Sequence, residues 1–516
     1  MKAKKLVAVV MATAMALTMM AGCTKYQNKK TQSKDTLIFA QSADPISMDP
    51  ALISDGESTQ ITTNIYDGLL QYKKGSTEVE PCLATSWTVS SDGLTYTFTL
   101  RKGVKFQDGT DFNAEAVKYN FDRQLNGAAT ADMSYASFIF GLVKDVEVKD
   151  DYTVVIHMTS PNTPFLADLA MNCGAAISSP TQLKKYNGNI TEHPCGTGPY
   201  TFVKWDKGQD VVLVRNDNYW GTKAKTKNVI FKVIKDASDR VVALNNGEAD
   251  MIEGVDATNV DQIKQGGSKV VTFNGMMTNY MAYNTTSKIF ASKDARRALS
   301  ESINVPELVK SLYKGYSQAA TSFLPDSLPG YSKTIQQVQY NPDDAKTTLS
   351  KLGITSVHII TYSIARSYNL ATGQTLAEAV QGYLSKVGVK CTIDVYDWTT
   401  YKAKMKEGNY DICFIGWGGD NGDPDNFMNL FATDDPSMNV SRYKNTAYNS
   451  LIEKGLEMPN GSDRNAVYTQ CEQIIADDAP ILSISHAEQI CGVSPYIHNF
   501  DYHIAYGPKL AGVTKG

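Results

Sequence analysis

Asp420 lies in the run Gly416-Trp-Gly-Gly-Asp420-Asn-Gly-Asp423-Pro-Asp425-Asn-Phe427, a carboxylate among glycines, after an apolar stretch and beside a Trp. That setting suits the capture of a small cation. Upstream, Arg366 stands in Ile364-Ala-Arg366-Ser-Tyr368-Asn369, again just after an apolar stretch. One fixed negative and one fixed positive group can hold the two ends of a short zwitterion, and a free dipeptide is such a molecule.

The elements that must position these residues are legible from periodicity. Residues 357–362 read as a strand. Leu376, Val380, Leu384 and Val387 form one helix face, which Gly388 closes. Residues 389–396 read as the next strand, 398–406 as a short helix and 410–417 as a third strand. Strand, helix, strand, helix, strand implies a parallel sheet with right-handed crossovers. Arg366, Trp398 and Asp420 would each follow the carboxyl end of one of these strands, where open α/β sheets bind ligands.

The first half reads differently. Residues 36–40 open it as a strand, and 94–100 alternate Leu94, Tyr96, Phe98 and Leu100 against threonines, the pattern of a half-buried strand. A helix begins near Ala114, capped by Asn113, with Val117, Phe121 and Leu125 on one face. Further strands are expected at 153–158, 200–203, 211–215 and 229–234. Gly196-Thr-Gly198-Pro199-Tyr200 is a tight turn into a strand, and it lacks the GK[ST] ending of a phosphate loop.

At 516 residues the chain can bury the cores of several domains. Lys2, Lys4 and Lys5 precede an apolar stretch from Leu6 to Met20, then Ala21-Gly22 and Cys23. This is a secretory signal, too short to span a bilayer. The small-small-Cys ending resembles a bacterial lipobox, which implies cleavage before Cys23 and its lipidation. Residues 1–22 carry three lysines and no acids, so the remainder has 47 basic and 54 acidic side chains, a net charge of −7. No basic block points to nucleic acid. Residues 24–34 are polar and aperiodic, as a tether would be.

Seven cysteines follow Cys23, an odd number without CxxC or zinc-type spacing. Cys391 and Cys471 are expected in the core, whereas Cys173 and Cys195, near strand ends, are candidates for a disulfide. Asp420, Asp423 and Asp425 do not form an EF-hand loop, because Gly422 and Phe431 fall where acidic ligands belong. No HExxH, GxSxG or Walker sequence occurs, and the six histidines are scattered. His498 and His503 are expected at the surface. No enzyme, metal or cofactor is expected.

The motifs Asp49-Pro50, Tyr66-Asp67-Gly68-Leu69-Leu70, Leu83-Ala84-x-Ser86-Trp87, Leu100-Arg101-Lys102-Gly103-Val104-Lys105-Phe106, Gly196-Thr197-Gly198-Pro199-Tyr200 and the 416–427 run occur in that order. Together they resemble the family 5 extracellular solute-binding proteins of ABC importers, in particular dipeptide-binding proteins, from about residue 36 to beyond 500. The resemblance implies a bilobal α/β periplasmic-binding-protein fold of type II, with three domains and a discontinuous first one. It divides the chain into a lipoprotein signal peptide (1–22), a tether (23–35), domain I (36–65, 189–283 and 481–516), domain II (66–188) and domain III (284–480).

By the same resemblance Asp420 would take a peptide's α-ammonium, with Gly419 beside it, and Arg366 its α-carboxylate. Trp398 and Trp417 would line side-chain pockets, Tyr368 and Asn369 would flank the carboxylate clamp, and residues 54–58 would offer backbone contacts. Asp423 and Asp425 read as loop braces. The implied partners are a short peptide, ABC permease subunits and the membrane through a lipid anchor, with no nucleic acid. The implied state is an exported monomer at the outer face of the bacterial cell membrane or in the periplasm. Within the same fold the alternatives are oligopeptides, glutathione, haem or a nickel chelate.

Overall fold

The computed structural model describes residues 33–125 and 132–516, so the signal peptide, most of the tether and Cys23 lie outside the described residues. The main sheet runs, in spatial order, through Lys390–Tyr396, Ser356–Tyr362, Ile412–Gly418, Lys269–Tyr283, Ile481–Val493, Met251–Ile252, Thr36–Gln41, Asn228–Val233, Asp210–Arg215 and Tyr200–Asp206. A separate antiparallel sheet holds Ala84–Val89, Thr95–Leu100, Thr153–Met158 and Val143–Asp150.

The expected parallel unit is present. Ser356–Tyr362 pairs in parallel with Lys390–Tyr396 on one side and with Ile412–Gly418 on the other. The helix Gly373–Lys386 buries Leu376, Ala377, Val380 and Leu384 against it, and Gly388 just beyond adopts φ +87°. Glycine carries that left-handed conformation without a Cβ penalty.

Two long strands join this unit to the rest of the sheet. Lys269–Tyr283 and Ile481–Val493 pair antiparallel, and their register shifts between Asn274 and Thr278. At Gly275 a Cβ would lie 2.6 Å from the Ala487 carbonyl oxygen, so the backbones meet there and no side chain fits. Residues 275–277 consequently leave the regular ladder, as in a bulge.

The core divides as the sheets do. One cluster, including Tyr283, Ile359, Phe414 and Phe427, surrounds the parallel unit, another with Phe98, Phe121 and Ile156 fills the four-stranded sheet, and a third holds Leu37, Phe39, Val229 and Phe231. The Asn113 cap is seen in the Ala116 N–H bond to its Oδ1 at 3.0 Å. Among the described residues no helix is long and apolar enough to cross a membrane.

Three expectations are corrected. Cys173 and Cys195 are free thiols and form no disulfide. Cys391 is half-buried rather than core, because Lys390–Tyr396 is the sheet's outermost strand and Val395 on it is exposed; Cys471 is fully buried as expected. His503 is buried, not at the surface: its ring stacks on Tyr506 with Tyr72 beside the pair, and its Nε2 lies 2.9 Å from the Ser76 carbonyl oxygen. A neutral imidazole suits that stack, and burial lowers its pKa.

Candidate functional site

The strand order puts three of the expected residues at one edge. Arg366, Trp398 and Asp420 follow the carboxyl ends of three adjacent parallel strands, spaced about 4.8 Å apart in such sheets. Asp420 and Gly419 line a cavity of about 230 Å³ together with Ser54, Asp55, Gly56, Gln60, Tyr135, Cys173 and the bulged residues 275–277. Ala487, Gln489, Tyr502 and residues 504–507 complete its wall. No Lys, Arg or His is among these lining residues.

The Asp420 carboxylate is held by neutral donors. The Tyr135 hydroxyl donates to Oδ1 at 2.7 Å and Asn426 Nδ2 to Oδ2 at 3.3 Å. Asn426 is itself fixed, since its Oδ1 accepts from the Asp420 N–H at 3.1 Å and from Trp417 Nε1 at 2.9 Å. Burial raises the carboxyl pKa, and the two side-chain hydrogen bonds only partly offset it. Such a group is stabilised in its ionised form by any cation that enters. Gly419 leaves the space that makes this turn: a Cβ would meet the Phe427 ring at 2.6 Å.

The neighbouring carboxylates are spent internally. Asp423 accepts a two-pronged bond from Arg464, at 2.7 and 2.8 Å, and both side chains are buried. Asp425 takes the Tyr468 hydroxyl at 3.1 Å, and burial beside Asp423 pushes its pKa up to about 7. Both brace the loop, and among the described residues no group of acids, histidines or cysteines is arranged to hold a metal ion.

Arg366 does not line the Asp420 cavity. Its guanidinium carbon lies 4.1 Å from the Trp398 ring centroid, its Nε is buried without a hydrogen-bond partner, and no carboxylate pairs with it among the described residues. Tyr368 packs against Gly416, where a Cβ would come 2.3 Å from its ring; burial pushes its pKa up to about 12, with Arg366 pulling the other way. Asn369 is fully buried. It accepts from the Tyr313 hydroxyl at 2.7 Å and the Ala371 N–H at 3.2 Å, and it donates to the Tyr362 hydroxyl at 3.0 Å. Asn369 therefore supports the turn beneath Tyr368. Trp398 and Trp417 are half-buried against the same core, and neither lines the cavity.

Sequence reasoning missed the residues that close the site from the other side. Besides Tyr135 on Asp420, Asn421 donates to the Asp168 carboxylate at 2.5 Å, and Thr163 bonds the carbonyls of Leu456 and Met458 at 2.9 and 2.7 Å. Gly422 lies so near Thr77 that a Cβ would come 2.2 Å from the threonine Cβ. Tyr135 sits in no recognisable motif, so only packing reveals it.

A profile of the bacterial extracellular solute-binding proteins, family 5 middle region, matches residues 78–439. The chain is 32% identical over 478 residues to the dipeptide-binding protein of Escherichia coli, covering 88% of this chain and 89% of that one. It is 30% identical over 519 residues to heme-binding protein A of Haemophilus influenzae, covering 95% of each. Among solved structures, the periplasmic binding protein DppA from Helicobacter pylori in complex with peptide STSA superposes with a TM-score of 0.74 at 32% identity, over 93% of this chain and 98% of that one. With its bilobal α/β architecture of periplasmic-binding-protein type II, the chain belongs to the bacterial extracellular solute-binding proteins of family 5.

Proposed function

We propose that this protein captures short peptides, dipeptides above all, and delivers them to an ABC permease, with Asp420 on the α-ammonium and Arg366 on the α-carboxylate. The observation that carries this reading is the half-buried Asp420 carboxylate in a cavity lined by no basic side chain. A cationic ligand end supplies the missing partner. Arg366, on the next strand end but outside that cavity, pairs with no carboxylate among the described residues and offers a planar fork for the other terminus. The cavity volume lies below the roughly 300–1,000 Å³ usual for drug-sized ligands, which favours a small one. Trp398 and Trp417 border the second side chain in this scheme, and Tyr368 with Asn369 holds the arginine's turn. Family membership supports solute binding rather than catalysis.

The finer parts of the reading are an exported monomer tethered through acylated Cys23, and three domains divided near residues 65, 188, 283 and 480. Mass spectrometry of small molecules released from the denatured protein tests the ligand. Dipeptides with varied side chains are expected; one mass for haem, glutathione or a longer peptide overturns the substrate. Calorimetry with Ala-Ala tests the clamp. Asp420→Asn is expected to weaken binding at least tenfold, and unchanged affinity removes Asp420 from the ammonium site.

A further inference from the structure

Asp420 is not the cavity's only acceptor without a cation. Asp55 lines the same cavity, and its two oxygens have different tasks. Oδ1 accepts the Ser58 N–H at 2.8 Å and caps the helix Gly56–Thr62, while the buried Oδ2 has no hydrogen-bond partner. Gln60, one turn on, also lines the cavity and is 5% exposed. Its Nε2 is taken by Glu253 and by the Tyr502 hydroxyl at 3.2 Å, which leaves its buried Oε1 unpartnered. Buried acceptors left without donors are costly, so these two oxygens are waiting for a donor.

The surroundings favour a charged donor over a neutral one. Glu57 lies close to Asp55, and the nearby Arg240 spends its guanidinium on the carbonyls of Ile234, Lys235, Glu253 and Gly254. Burial, with Glu57 adding to it, raises the Asp55 carboxyl pKa, as expected of a carboxylate lacking its cation. The same wall includes Met276, Ile504 and Ala505, against which a methylene stem can lie.

We propose that this cavity selects peptides whose first side chain is cationic, lysine or arginine, with that side chain's terminal group on Asp55 and Gln60 Oε1. The inference rests on the peptide reading above. In a peptide the first side chain leaves the same carbon as the α-ammonium, so both share the cavity that contains Asp420. The α-carboxylate then runs out toward Arg366.

Calorimetry with Lys-Leu and norleucine-Leu, which differ in one terminal ammonium, tests this. The wild-type protein is expected to bind Lys-Leu at least tenfold more tightly. In Asp55→Asn, which keeps a side-chain oxygen for the helix cap, that ratio is expected to fall below threefold, with the fold confirmed by circular dichroism. A wild-type ratio near one overturns the inference and leaves the peptide reading standing, as does a tenfold ratio that survives Asp55→Asn. If neither peptide binds the wild type, the dipeptide reading fails and this inference with it.

Discussion

Asp420 and Asp423 stand three positions apart in one loop, yet a partner distinguishes them completely. Asp423 has Arg464, which is 1% exposed and also donates to the Gly455 carbonyl at 2.7 Å, whereas Asp420 has only a tyrosine and an asparagine. A buried pair that loses one member leaves an uncompensated charge, at a cost of about 3–5 kcal/mol. Arg464→Met should therefore destabilise the protein by about that amount in urea unfolding, while Asp420→Asn stays within about 1 kcal/mol of wild type. An Arg464→Met protein as stable as wild type would show that the Asp423–Arg464 pair does not hold the fold. This difference was not legible in the local run of aspartates, because Arg464 lies 41 positions downstream. Asn369 makes the same point in reverse: it adjoins Arg366 in sequence, but three protein partners already occupy its side chain.

The loop after Ile412–Gly418 shows how an element turns side-chain choices into shape. The Asp423 N–H bonds Asn421 Oδ1 and the Asp425 N–H bonds Asp423 Oδ1, both at 2.9 Å, so the chain coils on its own polar side chains before the helix Asp425–Met428. That coil presents Gly422 to Thr77, in the turn between the strands Leu70–Tyr72 and Val79–Pro81. Gly422 is not in a left-handed conformation, so the loop itself can accept alanine. Gly422→Ala should keep the circular dichroism spectrum but weaken Ala-Ala binding at least tenfold in calorimetry, because the added methyl keeps the two segments apart. Unchanged affinity would mean that the Thr77 contact is not needed for capture. The parallel unit around this loop was legible because its strands are short, apolar and separated by an amphipathic helix. The long strands Lys269–Tyr283 and Ile481–Val493 were not. They mix polar and apolar residues, and a bulge interrupts their register.

Among the described residues, buried carboxylic acids that form no direct salt bridge decide how stability responds to pH. Burial pushes Glu253, Asp425 and Glu472 up to about 7, and raises Asp168 strongly with Asp423, Asp425 and Asp420 adding to it. Each holds a proton in the folded state that the unfolded chain, with a carboxyl pKa near 4, has released. Their stabilising contribution is full below about pH 4 and is lost as pH rises through about 7. His486, pushed by burial down to about 4, and His503, also lowered, act in the opposite sense. Their contribution is present above about pH 6.5 and is lost as pH falls. At 1.36 kcal/mol per unit, moving from pH 8 to 5.5 gains about 2 kcal/mol for each of the carboxyls near 7 and loses about 1.4 kcal/mol for His486, with His503 acting in the same direction. The carboxyls outnumber the histidines and outweigh them. Scanning calorimetry should find Tm at least about 3 °C higher at pH 5.5 than at pH 8. Glu472→Gln should reduce that difference, since it removes an acid whose oxygens meet neutral donors, among them the N–H groups of Leu324 and Ser332 at 3.0 and 3.3 Å. A Tm that is flat or falls on acidification across this interval would mean that these carboxyls are ionised in the folded protein and are compensated by groups other than those found around them.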